Sequence, residues 1–333
     1  MKSARAQDTT RHEGSMTASP TVSIVVPVYQ SETTLGATLT GALAQTYPHV
    51  EIVVCLDGPT DRSEAIVEAY GDRVVVVRQE NAGLSAARNA AIAAASGELI
   101  TLCDADDVLL PRHVEASVEV WRRHSPRSFV SANGLFLGRE GITGRRIFDR
   151  PRTDLARQRM LMLEENIATI FSTFPRRMWE ELGGFATSLN AMEDYDLWLR
   201  AVMAGWQLHF VEEPTALYRL TPGSMSSGAE RMNTANHDVR RRLADSGTPL
   251  TDEERAFLEK TLEVDWPGYT IGVAADALAA GDTARAAALL SGAADVSPSK
   301  PRLRLKAELL RRVPVTAHLY RRTERRRLES MAR

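Results

Sequence analysis

The sequence has only two cysteines, Cys55 and Cys103, in 333 residues. That excludes a disulfide framework and leaves a cysteine-built zinc centre without ligands. No stretch of about 18 consecutive apolar residues occurs, so no membrane-spanning helix is expected. The first twenty residues are polar and small, lack the apolar core of a signal peptide, and are expected to form a flexible lead-in. A cytoplasmic location follows as the expectation, with a peripheral contact at the inner face of a membrane left open. Aromatics are scarce at 6%, and the formal net charge is only −2, which argues against a nucleic-acid binder. Phosphate-binding glycine loops are missing as well. There is no G-x-x-x-x-G-K-[ST], and Pro27, Val28, Tyr29 and Gln30 stand where a dinucleotide-binding glycine turn would follow the first strand. Serine-hydrolase G-x-S-x-G and zinc-protease H-E-x-x-H patterns do not occur.

What is present is a β-branched, nearly continuous apolar run at 21–29 (TVSIVVPVY), followed by a helical pattern that Thr33 or Thr34 would cap. A second such strand is 50–57 (VEIVVCLD). A short helix at 62–70, a strand at 73–78, a strong helix former at 85–95 (SAARNAAIAAA) and a strand at 98–103 (ELITLC) come next. Strand and helix alternate within about 85 residues, which predicts an α/β fold with a mostly parallel sheet and flanking helices. Further on, the pattern predicts helices at 111–124, 155–163, 176–185 and 191–204, and strands at 128–137, 208–211 and 216–220. After residue 228 it turns helical, with candidates at 254–262, 273–280 and 284–294.

Ligands of an open α/β sheet bind beyond the carboxyl ends of its strands, and acidic residues fall there. Asp57 ends the second strand, where it suits either a ligand or a loop turn. Asp104, Asp106 and Asp107 end the fourth. Carboxylates crowded at one strand exit raise one another's pKa. A bound Mg²⁺ or Mn²⁺ bridging to a diphosphate relieves that repulsion, because carboxylates alone rarely complete a magnesium shell. A third acidic site is Glu193-Asp194-Tyr195-Asp196. On a helix, Asp194 shares a face with Trp198, so its carboxylate is expected against apolar surface and basic enough to take a proton from a hydroxyl attacking a sugar carbon.

Residues 21–227 resemble the family 2 glycosyltransferases of GT-A fold. The resemblance rests on VSIVVPVYQSETTLGATLTGALAQTY, VVCLDGPTDRS, ENAGLSAARNAAIAAASGELITLCDADD, GGFATSLNAMEDYDLWLRAVMAGW and ALYRLTPGSMS, in family order. It implies an inverting transfer of a sugar from a nucleoside diphosphate donor. Pro27, Val28 and Tyr29 would line the nucleotide pocket, Glu32 would face the nucleoside, and Asp57 would hydrogen-bond the base. Asn81, Gly83 and Arg88 would pack under and beside the nucleotide. Asp104, Ala105 and Asp106 would form the D-x-D element, with Asp106 on the metal and Asp104 near the ribose or the metal's waters. Asp194 would be the base and Glu193 its orienting neighbour or an acceptor contact. Arg219 and Ser224 would belong to a segment closing over the diphosphate. The acceptor class is left as a glycan, a glycolipid or a small molecule.

Two positions depart from the family pattern. Pro59 stands after Asp57-Gly58 and stiffens that loop. Leu220 and Thr221 follow Arg219 where many members have a metal-binding His, which would leave the metal to Asp106, diphosphate and water. Two other functions compete. A sugar-1-phosphate nucleotidylyltransferase would need a Gly-rich basic loop after the first strand, which PVYQSETTLG lacks. A non-catalytic sugar-nucleotide-binding scaffold would be expected to lose Asp106 or Asp194, and both are present.

The near-neutral total conceals a segregation. Residues 301–333 contain eleven Lys or Arg and three Glu, a net +8, so residues 1–300 carry −10. The tail reads as a solvated helix end, or as a surface for an anionic membrane or an acidic partner. The expected organisation is a lead-in at 1–20, a GT-A domain at 21–227 and a helical region with the basic tail at 228–333.

Overall fold

The computed structural model describes residues 19–149, 154–220, 229–297, 301–312 and 318–323. Residues 1–18 of the lead-in, Ser224 with its segment, and residues 324–333 of the basic tail lie outside them. In chain order the first half runs β1 (Val22–Val28), α1 (Leu35–Leu43), β2 (Val50–Asp57), α2 (Ser63–Glu68), β3 (Val75–Gln79), α3 (Leu84–Ala94), β4 (Leu99–Leu102), β5 (Val108–Leu109) and α4 (His113–Arg122). Then follow β6 (Ser128–Gly138), β7 (Gly141–Arg146), α5 (Gln158–Glu164), β8 (Ser172–Pro175), α6 (Arg176–Leu182), α7 (Glu193–Met203) and β9 (Gln207–Arg219). Among the described residues α8 (Ala229–Asp245), α9 (Asp252–Leu262), α10 (Pro267–Ala280), α11 (Thr283–Asp295) and α12 (Pro301–Arg312) follow, with a short helical segment at 318–323.

One sheet runs β3-β2-β1-β4-β8-β6-β9-β5, with β7 paired to β6. β1 is buried along its whole length, as a central strand covered on both faces must be. Its parallel neighbours hold it in register, Val22 opposite Val50 on one side and Leu99 on the other. Pro27 is tolerated in this central strand because the β4 ladder ends at Val25–Leu102, so the missing N–H falls beyond it. The common direction of β1, β2, β3 and β4 brings their carboxyl ends to one edge, and the residues that follow each strand meet there.

The expected mostly parallel sheet is in fact mixed. β8 returns antiparallel to both β4 and β6, and β5 and β7 are antiparallel additions, while β6 and β9 are parallel. Periodicity reports burial, not strand direction, so this half was not readable from the pattern. The two short strands expected at 208–211 and 216–220 are one strand, β9. Its pairing with β6 shifts register around Asn133 and Pro214, so the proline that reads as a break sits in a bulge. Thr34 does flank α1, but its hydroxyl makes no cap bond. It donates to Ala105 O (2.9 Å), and Thr38 donates to Ala105 O and Asp107 O (3.0 and 2.7 Å), so α1 clamps the turn after β4.

The C-terminal helices fall into two groups. Val239 and Leu243 of α8 and Leu258 of α9 belong to the main core, whereas α10, α11 and α12 bury a separate small core around Ala274, Leu278, Leu290 and Leu310. Arg159 ties α9 to the body by donating to both oxygens of Glu254 (2.6 and 2.7 Å). The described C-terminal helices are thus shared between two buried cores, α8 and α9 with the main one and α10 to α12 with the small one. Among the described residues no helix is long and apolar enough to cross a membrane.

Candidate active site

A cavity of about 1050 Å³ opens at the carboxyl edge of the sheet. Its walls include Pro27, Val28, Tyr29, Asp57, Asn81, Gly83, Arg88, Asp104, Ala105, Asp106, Glu193, Asp194 and Arg219. Among the described residues that the family resemblance assigns to the site, Glu32 stands apart. Its carboxylate accepts from Arg62 N and Nε (3.1 and 3.2 Å) and does not line the cavity. Among the described residues, the two non-glycines with positive φ, Gln30 (50°) and Met192 (60°), both line it. Such conformations persist where the surrounding structure fixes them, and they cluster at functional sites.

Asp57 is only 3% exposed and already partnered. Oδ1 accepts from Gln79 Nε2 and Ala82 N (2.7 and 2.8 Å), and Oδ2 from Gly83 N (3.0 Å). It thus pins the loop from β3 to α3 against the end of β2. Gly58 permits this closeness: its φ is +62°, and a Cβ there would lie 2.8 Å from Asn81 N.

Asp104, Ala105, Asp106 and Asp107 turn directly out of β4. Burial, and then the charge of Asp104, push Asp106 up to about 6. Asp107 is driven further up by burial and by both neighbours. It faces inward: Oδ1 accepts Arg219 N (2.8 Å), while Oδ2 is buried with no hydrogen-bond partner. Arg219 also donates Nε to Asp106 O (2.7 Å), so β9 holds the acidic turn from the far side.

The largest electrostatic feature was not foreseen. Arg88, on α3 and 1% exposed, donates Nη2 to Asp104 Oδ1 (2.6 Å) and Nη1 to Glu193 Oε1. Its guanidinium lies 5.5 Å from the Phe185 ring centre. Burial disfavours the charge, but Asp104 and Glu193 outweigh that and hold the guanidinium firmly protonated. One planar cation thus joins the acidic turn of β4 to the first residue of α7. The next residue on α3, Asn89, accepts from Trp179 Nε1 and Phe185 N (2.9 Å each) and donates to Phe185 O (2.9 Å). No spacing rule links residue 88 to residue 193, but the adjacent polar pair inside an otherwise alanine-rich helix was the available signal.

Asp194 sits partly exposed in the cavity wall at the start of α7. A helix N-terminus favours a carboxylate, yet burial and the adjacent Glu193 prevail over Arg88 and push Asp194 up to about 7. The burial that raises Asp194 agrees with the apolar surroundings expected for it, and Trp198 lies four residues on along the same helix. Trp198 is fully buried between Phe129 and Phe174, with ring centres 5.3 and 5.5 Å away. Asp196 turns away from the cavity to Arg200 and Arg242 (2.7 and 3.1 Å). The opposite wall also escaped the sequence reading. Phe136, Ile147, Phe148, Ile170, Tyr218 and Met232 give this half an apolar, aromatic lining.

Among the described residues no group of three or more His, Cys, Asp or Glu is arranged to hold a metal. The donor set is instead a pair, Asp104 and Asp106, beside the unpartnered Oδ2 of Asp107. It fits a hard divalent cation that completes its shell from phosphate oxygens and water, as Mg²⁺ commonly does.

A mixed sheet with an acidic turn at the end of β4, and a carboxylate facing it from α7, is a nucleotide-sugar transferase architecture of the GT-A-like kind. The family model for glycosyl transferase family 2 matches residues 23–182. Residues 23–182, just under half of the chain, thus match that family, a family of glycosyltransferases. It is 29% identical over 192 residues to an uncharacterized glycosyltransferase of Rickettsia typhi, covering 55% of this chain and 59% of that one. It is 29% identical over 189 residues to the chondroitin synthase of Pasteurella multocida, covering 56% and 19%. The chain thus matches about three-fifths or less of these curated relatives. Among solved structures, it is similar to S. aureus TarS 1–349 in complex with UDP-GlcNAc (TM-score 0.60, 16% identity, 93% of this chain and 92% of that one). It is also similar to a mannosyltransferase of Pyrobaculum calidifontis in complex with GDP-Man and Mn²⁺ (TM-score 0.59, 22% identity, 93% and 88%).

Proposed function

We propose that the protein transfers a sugar from a nucleoside diphosphate donor to an acceptor hydroxyl, with inversion and with a divalent cation. The observation that supports this best is the arrangement Asp104–Arg88–Glu193 with Asp194 beside it. It joins a place for the donor's diphosphate and a place for proton removal in one cavity.

The donor's nucleoside fits against Pro27, Val28 and Tyr29, with Asn81, Gly83 and the Asp57-pinned loop beside it. Asp57 has its hydrogen-bond acceptors largely engaged, so it shapes this pocket and offers at most a remaining lone pair to a base. Glu32 acts on the loop of Arg62 and not on the donor. Asp106, assisted by Asp104, would hold Mg²⁺ or Mn²⁺, which when bound supplies positive charge to the leaving diphosphate. Arg219 adds positive charge from the end of β9. Asp194 takes the acceptor's proton as its oxygen attacks the anomeric carbon from the face opposite the leaving group. A single displacement inverts that carbon and needs no covalent nucleophile. The aromatic wall of Phe136, Phe148 and Tyr218 suits the acceptor, whether glycan, glycolipid or small molecule.

The direct test is a panel of nucleotide sugars, read as thermal stabilisation with Mn²⁺ and then as product formation and anomeric configuration by NMR. A donor that stabilises and is transferred with inversion supports the proposal. Retention of configuration, or transfer by no donor that binds, overturns it. Asp106→Ala should weaken nucleoside diphosphate binding in the presence of Mn²⁺ by at least about tenfold, since even outer-shell partners of a metal are worth that much. Without metal the two proteins should bind alike. Calorimetry with and without Mn²⁺ reads both, and an unchanged metal-dependent affinity would remove Asp106 from the site.

A further inference from the structure

Helix α12 has two apolar faces, and among the described residues one of them packs into a core. Leu303, Ala307 and Leu310 pack into the small core of α10 and α11. Leu305 and Leu309, with Glu308 and Arg312, line a separate surface groove at i, i+3, i+4 and i+7 spacing. Leu305 is 60% exposed, and so is Leu319 in the helical segment 318–323. Single exposed leucines are ordinary. These two lie among cations. Arg302, Arg304, Arg311, Arg312 and Arg322 are all exposed. Glu308 pairs with Arg311 and Arg312, and Asp295 with Arg304. Arg302 and Arg322 have no ion pair among the described residues.

We propose that α12 and the 318–323 segment dock the protein on an anionic lipid bilayer, with Leu305 and Leu319 entering the headgroup layer and the arginines meeting lipid phosphates. Arginine suits this position, because its aliphatic stem lies along apolar surface while its guanidinium reaches phosphate. The distribution of charge favours the same occupant. Residues 1–300 carry −10 and residues 301–333 carry +8, so an anionic surface repels the body and attracts this end. A second copy of the chain fits poorly, because a two-fold contact would set the basic stripe against itself. This docking is independent of whether the cavity performs transfer.

Sedimentation of the full chain with phosphatidylcholine vesicles, with and without phosphatidylglycerol, tests it. Binding is expected only to the anionic vesicles and should fall as salt rises. Each basic residue near such a surface contributes about fivefold, so Arg302→Glu with Arg322→Glu should weaken binding at least about tenfold. Leu305→Ser with Leu319→Ser should weaken it as well. Both variants should keep wild-type melting temperature and nucleotide binding, which separates lost docking from lost folding. Four results would each overturn the proposal. One is no binding to anionic vesicles at low salt, and another is equal binding to neutral ones. A third is vesicle binding that the variants leave unchanged. The fourth is a concentration-dependent dimer, seen by sedimentation velocity, that the leucine variant abolishes.

Discussion

Replacing Asp194 by Asn should lower turnover by about 10³-fold while leaving donor affinity nearly unchanged, since a positioned general base contributes roughly 10²–10⁴-fold. Asparagine keeps the size of the side chain, and its amide oxygen can still accept from Tyr195 N, the bond Asp194 Oδ1 makes at 2.7 Å. What it loses is the ability to take a proton. The donor contacts proposed at Asp104 and Asp106 are not touched. Near-normal turnover in D194N would assign the base elsewhere.

The same carboxylate gives two pH signatures. Burial first, and Glu193 second, push it up to about 7, and a base must be ionised to act. The wild-type kcat/KM should therefore fall on the acid side with an apparent pKa near that value, read from initial rates across pH. The stability effect has the opposite sense. A carboxyl whose pKa is raised by folding binds its proton more tightly in the native state, so stability declines as pH rises from the ordinary carboxylate range to about 7. At pH 8 the ionised Asp194 strains the fold. D194N should therefore melt higher than wild type at pH 8 and alike at pH 4. An inactive but more thermostable variant is the expected pattern of a residue kept for function at the expense of stability.

How much of this was readable beforehand depends on the range of the interaction. The alternation of β1 through β4, and the acidic turn leaving β4, follow from patterns within about ten residues. The place of Asp194 at the start of α7 was legible because the helical pattern that positions it is local. Its desolvation was expected from the apolar residues on its helix face and is found, whereas the packing of Trp198 on Phe129 and Phe174 involves residues far away in sequence. Asp57 was correctly placed at a strand exit, but only the folded loop shows three donors converging on it. Glu32 illustrates the opposite limit. The family resemblance implied that it faces the nucleoside, and in the fold its carboxylate accepts from Arg62, thirty residues away. β5, β7 and β8 were missed because stretches of two to six residues carry too little periodicity. The buried link from Arg88 to Glu193 spans 105 residues, and no sequence period extends that far.

That link carries the other large prediction. Arg88→Met removes one cation and leaves Glu193 buried without a partner and Asp104 without its bridge. Breaking a buried ion pair from one side typically costs about 3–5 kcal/mol, so R88M should melt well below wild type and lose transfer activity almost entirely. Loss of activity by itself would not separate a misfolded protein from a misplaced site. Arg88→Lys separates them: one ammonium keeps the charge but cannot donate to Asp104 and Glu193 in the planar, two-sided way the guanidinium does. R88K should therefore fold, with kcat lowered through Asp194 and KM for the donor raised through Asp104, both in one variant. Glu193→Gln tests where the instability comes from. Placed in the R88M background it removes the uncompensated charge and should recover part of the lost melting temperature, whereas in the wild-type background it should lower it. That reversal of sign is the coupling a double-mutant cycle measures. If E193Q shifts the melting temperature equally in both backgrounds, Arg88 and Glu193 act independently and the bridge between donor site and base does not exist.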